Sequence, residues 1–160
     1  MKTALRVFAI VIPLSAAPCP TKCVSIEPHD SLFGNIDHPK SWHVAAKQQD
    51  AEYAAAWVYR LAGKIRKVAL SVSDESGDWG LYVTYCFRED GGIARREEHL
   101  RTFFGKVIRD RVLTYDCKGA VLKETVKFEA MNGEHLKSAP DDFYPRAAPD
   151  YPNVAALPFK

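Results

Sequence analysis

Four cysteines, Cys19, Cys23, Cys86 and Cys117, and the pair Glu97 and His99 are the side chains of this sequence placed for reactivity. Cys19 and Cys23 stand four residues apart in Ala17-Pro18-Cys19-Pro20-Thr21-Lys22-Cys23, a spacing at which two thiolates could hold a soft metal or exchange disulfides. In an exported chain an even count makes disulfides the default, with three possible pairings. Glu97 and His99 alternate onto one face of a predicted strand with Arg95 and Arg101. A histidine titrating near neutrality, oriented by that carboxylate, could serve in general acid–base catalysis. The competing reading is a solvent-facing strand laced with cross-strand ion pairs, which Arg109, Asp110, Arg111 and Glu124 continue; the alternation of charge favours it.

Other chemistries find less support. His29, His38 and His43 cluster with Asp30 and Asp37, but their spacings match no closed metal-ligand pattern, so no metal and no cofactor is expected. Phosphate-binding loops, a nucleophile elbow, H-E-x-x-H and C-x-x-C are all absent from the sequence. The stretch Cys19-Pro20-Thr21-Lys22-Cys23 resembles the copper-binding motif of copper-delivering thioredoxin-like proteins. In those proteins the motif follows a strand and opens a helix. Here only the N-terminal segment precedes it and no βαβ pattern follows, so a thiol or copper carrier is the least supported function.

The N-terminus supplies an address. Lys2 and Arg6 precede an apolar run from Val7 to Leu14 that closes on Ser15-Ala16-Ala17, the order of a secretory signal peptide over residues 1–17. Cleavage after Ala16 or Ala17 would fit, and the run is too short to span a bilayer as a helix. The competing reading is a buried strand of a cytosolic protein. Removing residues 1–17 takes two of the 22 basic residues and no acid, which leaves 20 against 20 and a net charge near zero. The densest basic cluster, Lys64-Ile65-Arg66-Lys67, carries three charges, which does not support nucleic-acid binding. A secreted or periplasmic chain with no stable membrane insertion after signal removal is expected.

The elements that must position these residues follow from periodicity. Residues 18–40, broken by Pro18, Pro20, Pro28 and Pro39, read as an extended lead-in. Residues 41–62 are alanine-rich, with Tyr53, Trp57 and Leu61 four apart and Gly63 just beyond; they predict one amphipathic helix with Trp57 on its apolar stripe. After Gly63 the period becomes two. Five strands of an antiparallel meander follow, reversing at 76–80, at Asp90-Gly91-Gly92, at Gly105 and at Lys118-Gly119. The fold class expected is therefore α+β, one N-terminal helix on a curved antiparallel meander, forming a single domain over 41–137. Residues 138–160 hold five of the ten prolines with Phe143, Tyr144, Tyr151 and Phe159 between them, and should dock as an extended tail. Trp79, Tyr82, Arg95 and Arg101 are the candidate contact residues, although Trp79 at its hairpin tip fits packing under the adjacent loop at least as well.

The meander register bears on the cysteines. It sets Cys86 and Cys117 two strands apart, roughly 10 Å, which exceeds the Cα limit of about 7 Å for a bridge. A Cys86–Cys117 bridge is thus disfavoured. Cys19 or Cys23 is the natural partner of at least one strand cysteine, and a local Cys19–Cys23 bridge is the alternative.

The Asp-Gly turn after the aromatic strand, Thr102-Phe103-Phe104-Gly105, Tyr115-Asp116 ahead of Gly119, Leu122-Lys123-Glu124-Thr125 and the closing Ala156-Leu157-Pro158-Phe159 together resemble an uncharacterised family of small exported bacterial proteins, a domain of unknown function, over roughly residues 80–160. The resemblance implies export and one β-rich domain, and carries no catalytic residue. A fragment, TYDCKGAVLKETV, also resembles a single unit of the tyrosine-aspartate repeats of large bacterial surface proteins, though no second unit is present. The expected function is a non-enzymatic binding or envelope-associated module for a protein or peptide partner. The alternative is a small hydrolase-like or ligand-pocket protein using Glu97 and His99.

Overall fold

A computed structural model describes residues 19–28, 30–35, 38–44, 54–74 and 76–159. The expected signal peptide at 1–17 lies outside the described residues, as do His29 and Asp37.

Strands β1 (Asp30–Asn35), β2 (His38–Val44), β3 (Ala54–Leu61), β4 (Lys64–Ser73), β5 (Trp79–Phe87), β6 (Ile93–Thr102), β7 (Val107–Tyr115), β8 (Val121–Ala130) and β9 (His135–Leu136) form one antiparallel sheet in the order β2-β1-β3-β4-β5-β6-β7-β8-β9. The reversals expected at Asp90-Gly91-Gly92, Gly105 and Lys118-Gly119 join β5 to β6, β6 to β7 and β7 to β8. At the first of these, Gly91 takes φ 85°, a conformation glycine enters without steric cost, and Asp90 Oδ1 accepts from Gly92 N at 2.9 Å.

The α+β expectation is overturned. The segment read as a helix over 41–62 contributes β2 and β3, with 45–53 outside the described residues, and the helical turns among the described residues are two 3-10 segments of three residues each. Ala54, Ala56 and Val58 are 2%, 0% and 1% exposed, a period of two. Trp57 alternates with them onto the other face and is only partly buried, so it is not on a core stripe. Tertiary packing overrides alanine's helix preference here. Ala54 and Ala56 pair with Gly34 and Leu32 on β1 and with Val72 and Leu70 on β4. At Gly34 a Cβ would lie 2.9 Å from the Cα and ring of Trp42, so small residues are what this crowded corner of the sheet admits. The lead-in is correspondingly shorter than expected, because β1 and the first three residues of β2 fall within 18–40.

One face of the sheet, the inner one, carries the core: Val68, Leu70, Val72, Leu81, Val83, Tyr85, Leu100 and Leu113 from β4–β7, joined by Tyr151, Leu157 and Phe159 of the tail. The tail is extended and docked. Phe159 meets Trp42 edge-on at 5.1 Å, Tyr151 meets Tyr85 at 5.2 Å and Phe143 meets Phe128 at 5.5 Å. Its backbone is also fastened, through Ile93 N to Pro152 O at 3.0 Å and Val154 N to Gly91 O at 2.9 Å.

Candidate functional site

Alternation places Arg95, Glu97, His99 and Arg101 of β6 on the outer face, beside Tyr82 and Thr84 of β5, Asp110 and Val112 of β7 and Thr125 and Lys127 of β8. All of these but Arg95 and Arg101 line an open groove of about 390 Å³. Beyond Tyr82 and His99 a second hollow of about 430 Å³ continues toward Arg101 and Phe103. The carboxylate on His99 is not Glu97: His99 Nδ1 lies 2.7 Å from Asp110 Oδ1, directly across the β6–β7 pair. Glu97 instead accepts from Arg95 Nε at 2.5 Å. The Tyr82 ring stands 6.1 Å from the His99 ring and is 54% exposed. The outer face therefore presents an aromatic, a histidine–aspartate pair and an arginine–glutamate pair, all water-accessible, with Arg95 beside the groove. Such a surface suits contact with a ligand or partner.

Trp79 sits elsewhere. It alternates with Leu81 and Val83 onto the inner face, where Arg146 of the tail stacks over its ring at 4.8 Å and over Tyr144 at 4.8 Å. Of the two roles open to a tip tryptophan, its position matches packing: strand β5 begins at that residue, its parity points inward, and it lies half-buried against the core.

The cysteines form two bridges, Cys19–Cys117 with Cα atoms 5.7 Å apart and Cys23–Cys86 with Cα atoms 5.2 Å apart. Cys86 pairs with Arg95 and Arg95 with Thr114, and Cys117 lies just past the end of β7 in the turn to β8, so the two cysteines do stand two strands apart. The four-residue spacing of Cys19 and Cys23 has a geometric meaning. Two strand spacings are roughly 10 Å, and four residues of extended chain span about 13–14 Å. The lead-in thus reaches from one strand cysteine to the other. Cys86 alternates onto the outer face yet is 1% exposed. The stapled lead-in covers that end of the outer face and leaves the groove at the other end open.

Asp30, one of the acids near the expected histidine cluster, is engaged by Arg60 at 3.3 Å. Among the described residues no three His, Cys, Asp or Glu side chains gather as metal ligands.

A buried charge network escaped the sequence reading. Glu98, with a fully buried side chain, is met by Arg96 Nε at 2.9 Å, Arg109 Nη2 at 2.9 Å and Arg111 Nη1 at 3.6 Å. Burial lowers the Arg109 pKa, against the opposing pull of Glu98. Arg109 Nη2 also donates to the tail carbonyl of Arg146 at 3.1 Å, and Tyr85 Oη donates to Pro149 O at 2.7 Å. Arg88, likewise buried, donates to the carbonyls of Ile93, Asp116 and Cys117, which ties the β5–β6 hairpin to the turn bearing the first staple. The signal was present in the alternation, since Arg96 and Glu98 share parity with Leu100. Charged residues at inward positions of a strand are the mark of a paired buried network.

The chain matches no protein-family model, no curated protein and no solved structure. Among the described residues no helix is long and apolar enough to cross a membrane.

Proposed function

We propose that this chain is an exported, disulfide-stapled binding module that accepts an extended strand of a protein partner along β8. One observation carries the reading. Strand β8 pairs with β7 along its whole length, but on its other side β9 meets only Phe128 and Glu129. Positions 121–127 are all exposed, and among the described residues no strand pairs with them on the side away from β7. A strand edge of that length offers a row of backbone donors and acceptors to an incoming segment, with the outer groove beside Thr125 and Lys127. Two disulfides closing separations of 98 and 63 residues support an oxidising compartment, as export requires.

The reading is tested by NMR on the isotope-labelled mature chain. Addition of a strand-forming peptide should perturb the amides of 121–127 and slow their hydrogen exchange. Perturbation confined to the outer groove, or none, would overturn it. Export is tested separately by intact mass of the protein recovered from the periplasm or medium, which should lack residues 1–16 or 1–17 and gain four hydrogens on reduction.

A second reading, a hydrolase-like or ligand-pocket protein, rests on the His99–Asp110 pair in the groove beside Glu97. Ester hydrolysis by the mature chain that is lost in His99→Ala would establish it. The thiol or copper carrier draws no support from Cys19 and Cys23, whose sulfurs are each bonded to a strand cysteine.

A further inference from the structure

The charges along β8 say what kind of strand would fit it, and this inference rests on the strand-addition reading above. On the outer face stand Lys123, Thr125 and Lys127, opposite Thr114, Val112 and Asp110 of β7. On the inner face Glu124 is held by Arg111 at 2.8 Å and Val126 is 41% exposed, while Leu122, in the bulge where the register steps from Thr114–Lys123 to Tyr115–Val121, is 63% exposed. Phe128 is capped by Phe143 of the tail, so the uncovered apolar surface ends where β9 begins.

A second copy of β8 is the obvious candidate occupant, and its charges oppose it. A two-fold antiparallel pair keeps each residue's face, so the register must centre on one residue. Within 121–127, registers pairing five or more residues centre on Lys123, Glu124 or Thr125. They set Lys123 against itself, Glu124 against itself, or Lys123 against Lys127. Like charges directly opposed destabilise a cross-strand pair. Lysines on an edge are also a common guard against self-pairing.

We propose that the partner is an acidic peptide segment in extended conformation, with carboxylates four residues apart facing Lys123 and Lys127 and apolar side chains, one facing Val126 and one beside Leu122 at the bulge. The acids lie on the outer face and the apolar residue facing Val126 on the inner, as strand alternation requires. The pattern discriminates against basic segments and against the chain's own edge, and leaves affinity to the backbone ladder and the apolar contacts.

The probe is a capped heptapeptide, Glu-Val-Thr-Thr-Glu-Val-Thr, compared with its analogue in which both glutamates are lysine, each titrated into the mature, oxidised chain. The acidic peptide should bind about tenfold more tightly at low ionic strength, two cross-strand charge pairs changing sign between the probes. The gap should narrow in high salt. The double variant Lys123→Glu/Lys127→Glu should reverse the order, and because both positions are exposed it should keep the wild-type fold. Equal affinities with shifts still at 121–127 would overturn the acidic partner and leave strand addition standing. No shifts at 121–127 from either peptide would overturn both. Concentration-dependent dimerisation abolished by Val126→Lys would overturn the acidic partner in favour of a second copy.

Discussion

The lead-in and the tail are both irregular and both carry prolines, yet they are held by opposite means. No residue of 19–28 is buried, and the segment is fixed by Cys19 and Cys23. The tail has no covalent bond to the sheet. It is held by Tyr151, Leu157 and Phe159, which are 8%, 5% and 7% exposed, and by backbone hydrogen bonds to the β5–β6 turn. The difference teaches how much apolar area a segment needs. Three large buried side chains contribute enough transfer free energy to order a tail, about 1.5–3 kcal/mol each. A ten-residue lead-in without such anchors cannot offset its ordering entropy, and cross-links must do it instead.

The largest effect should come from the covalent side. Each bridge closes a long loop, 98 or 63 residues, worth about 4 kcal/mol in the chain-entropy account, and the nested loops contribute less together than their sum. Replacing all four cysteines with alanine should therefore lower the unfolding free energy steeply in urea titrations. Amide exchange at 19–28 should become unprotected. If the sheet tolerates the change, exchange within 149–157 should stay slow, which would show the two segments to be independent.

Next comes the buried carboxylate between them. Glu98→Gln leaves three arginines facing a neutral amide, and should cost about 3–5 kcal/mol in the same titration, as loss of one partner of a buried ion pair does. Because Arg109 also holds the Arg146 carbonyl, exchange protection in the tail should fall while the lead-in stays stapled. A loss below 1 kcal/mol would show that the network is neutral to stability.

The tail anchors follow. Tyr151→Ala should cost about 3 kcal/mol, near the lower range for a large aromatic core residue, and Leu157→Ala somewhat less. Thermal unfolding of the two variants orders them.

Alkaline titration sharpens the same point. Burial raises the hydroxyl pKa values of Tyr85, Tyr115 and Tyr151 above the ordinary value of 10.0. A raised folded value means stability that is whole below pH 10 and is lost as pH climbs toward the folded values. Absorbance at alkaline pH should show these tyrosines ionising only as the chain unfolds, and the Tyr85→Phe variant should lose stability less steeply above pH 10.

The smallest effect is at the turns. Asp90 is held low by the Gly92 amide and by Arg88, and Asp116 by the amides of Ala120 and Lys118. Lowered folded values mean stability present above the ordinary carboxylate range and lost as pH falls through the lowered ones. Asp116→Asn should flatten the acid limb of the stability–pH curve slightly, and an unchanged limb would argue that the turn frays first.

Much of this was legible in sequence. The reversals of β5–β8 were readable because Asp90-Gly91-Gly92, Gly105 and Lys118-Gly119 need conformations that few residues adopt, and the outer placement of Glu97 and His99 because alternation is local. The separation of Cys86 from Cys117 followed from counting along strands. The helix expected over 41–62 failed because alanine satisfies a helix alone but also fits a crowded sheet, and the neighbour that decides between them, Gly34 under Trp42, is distant in sequence. The partner of His99 was illegible for the same reason, since Asp110 faces it only across the β6–β7 register.

By itself, then, the sequence determined a meander, its turns, an aromatic tail able to dock and an even set of cysteines, because periodicity, glycine conformation and side-chain apolarity act over a few residues. The tertiary structure decided which cysteines meet, which face each charge occupies, that Glu98 is enclosed by arginines while Glu97 is not, and that the short β9 covers only two residues of the β8 edge. Those outcomes depend on strand order and register, which are set by what the whole core buries rather than by any one segment.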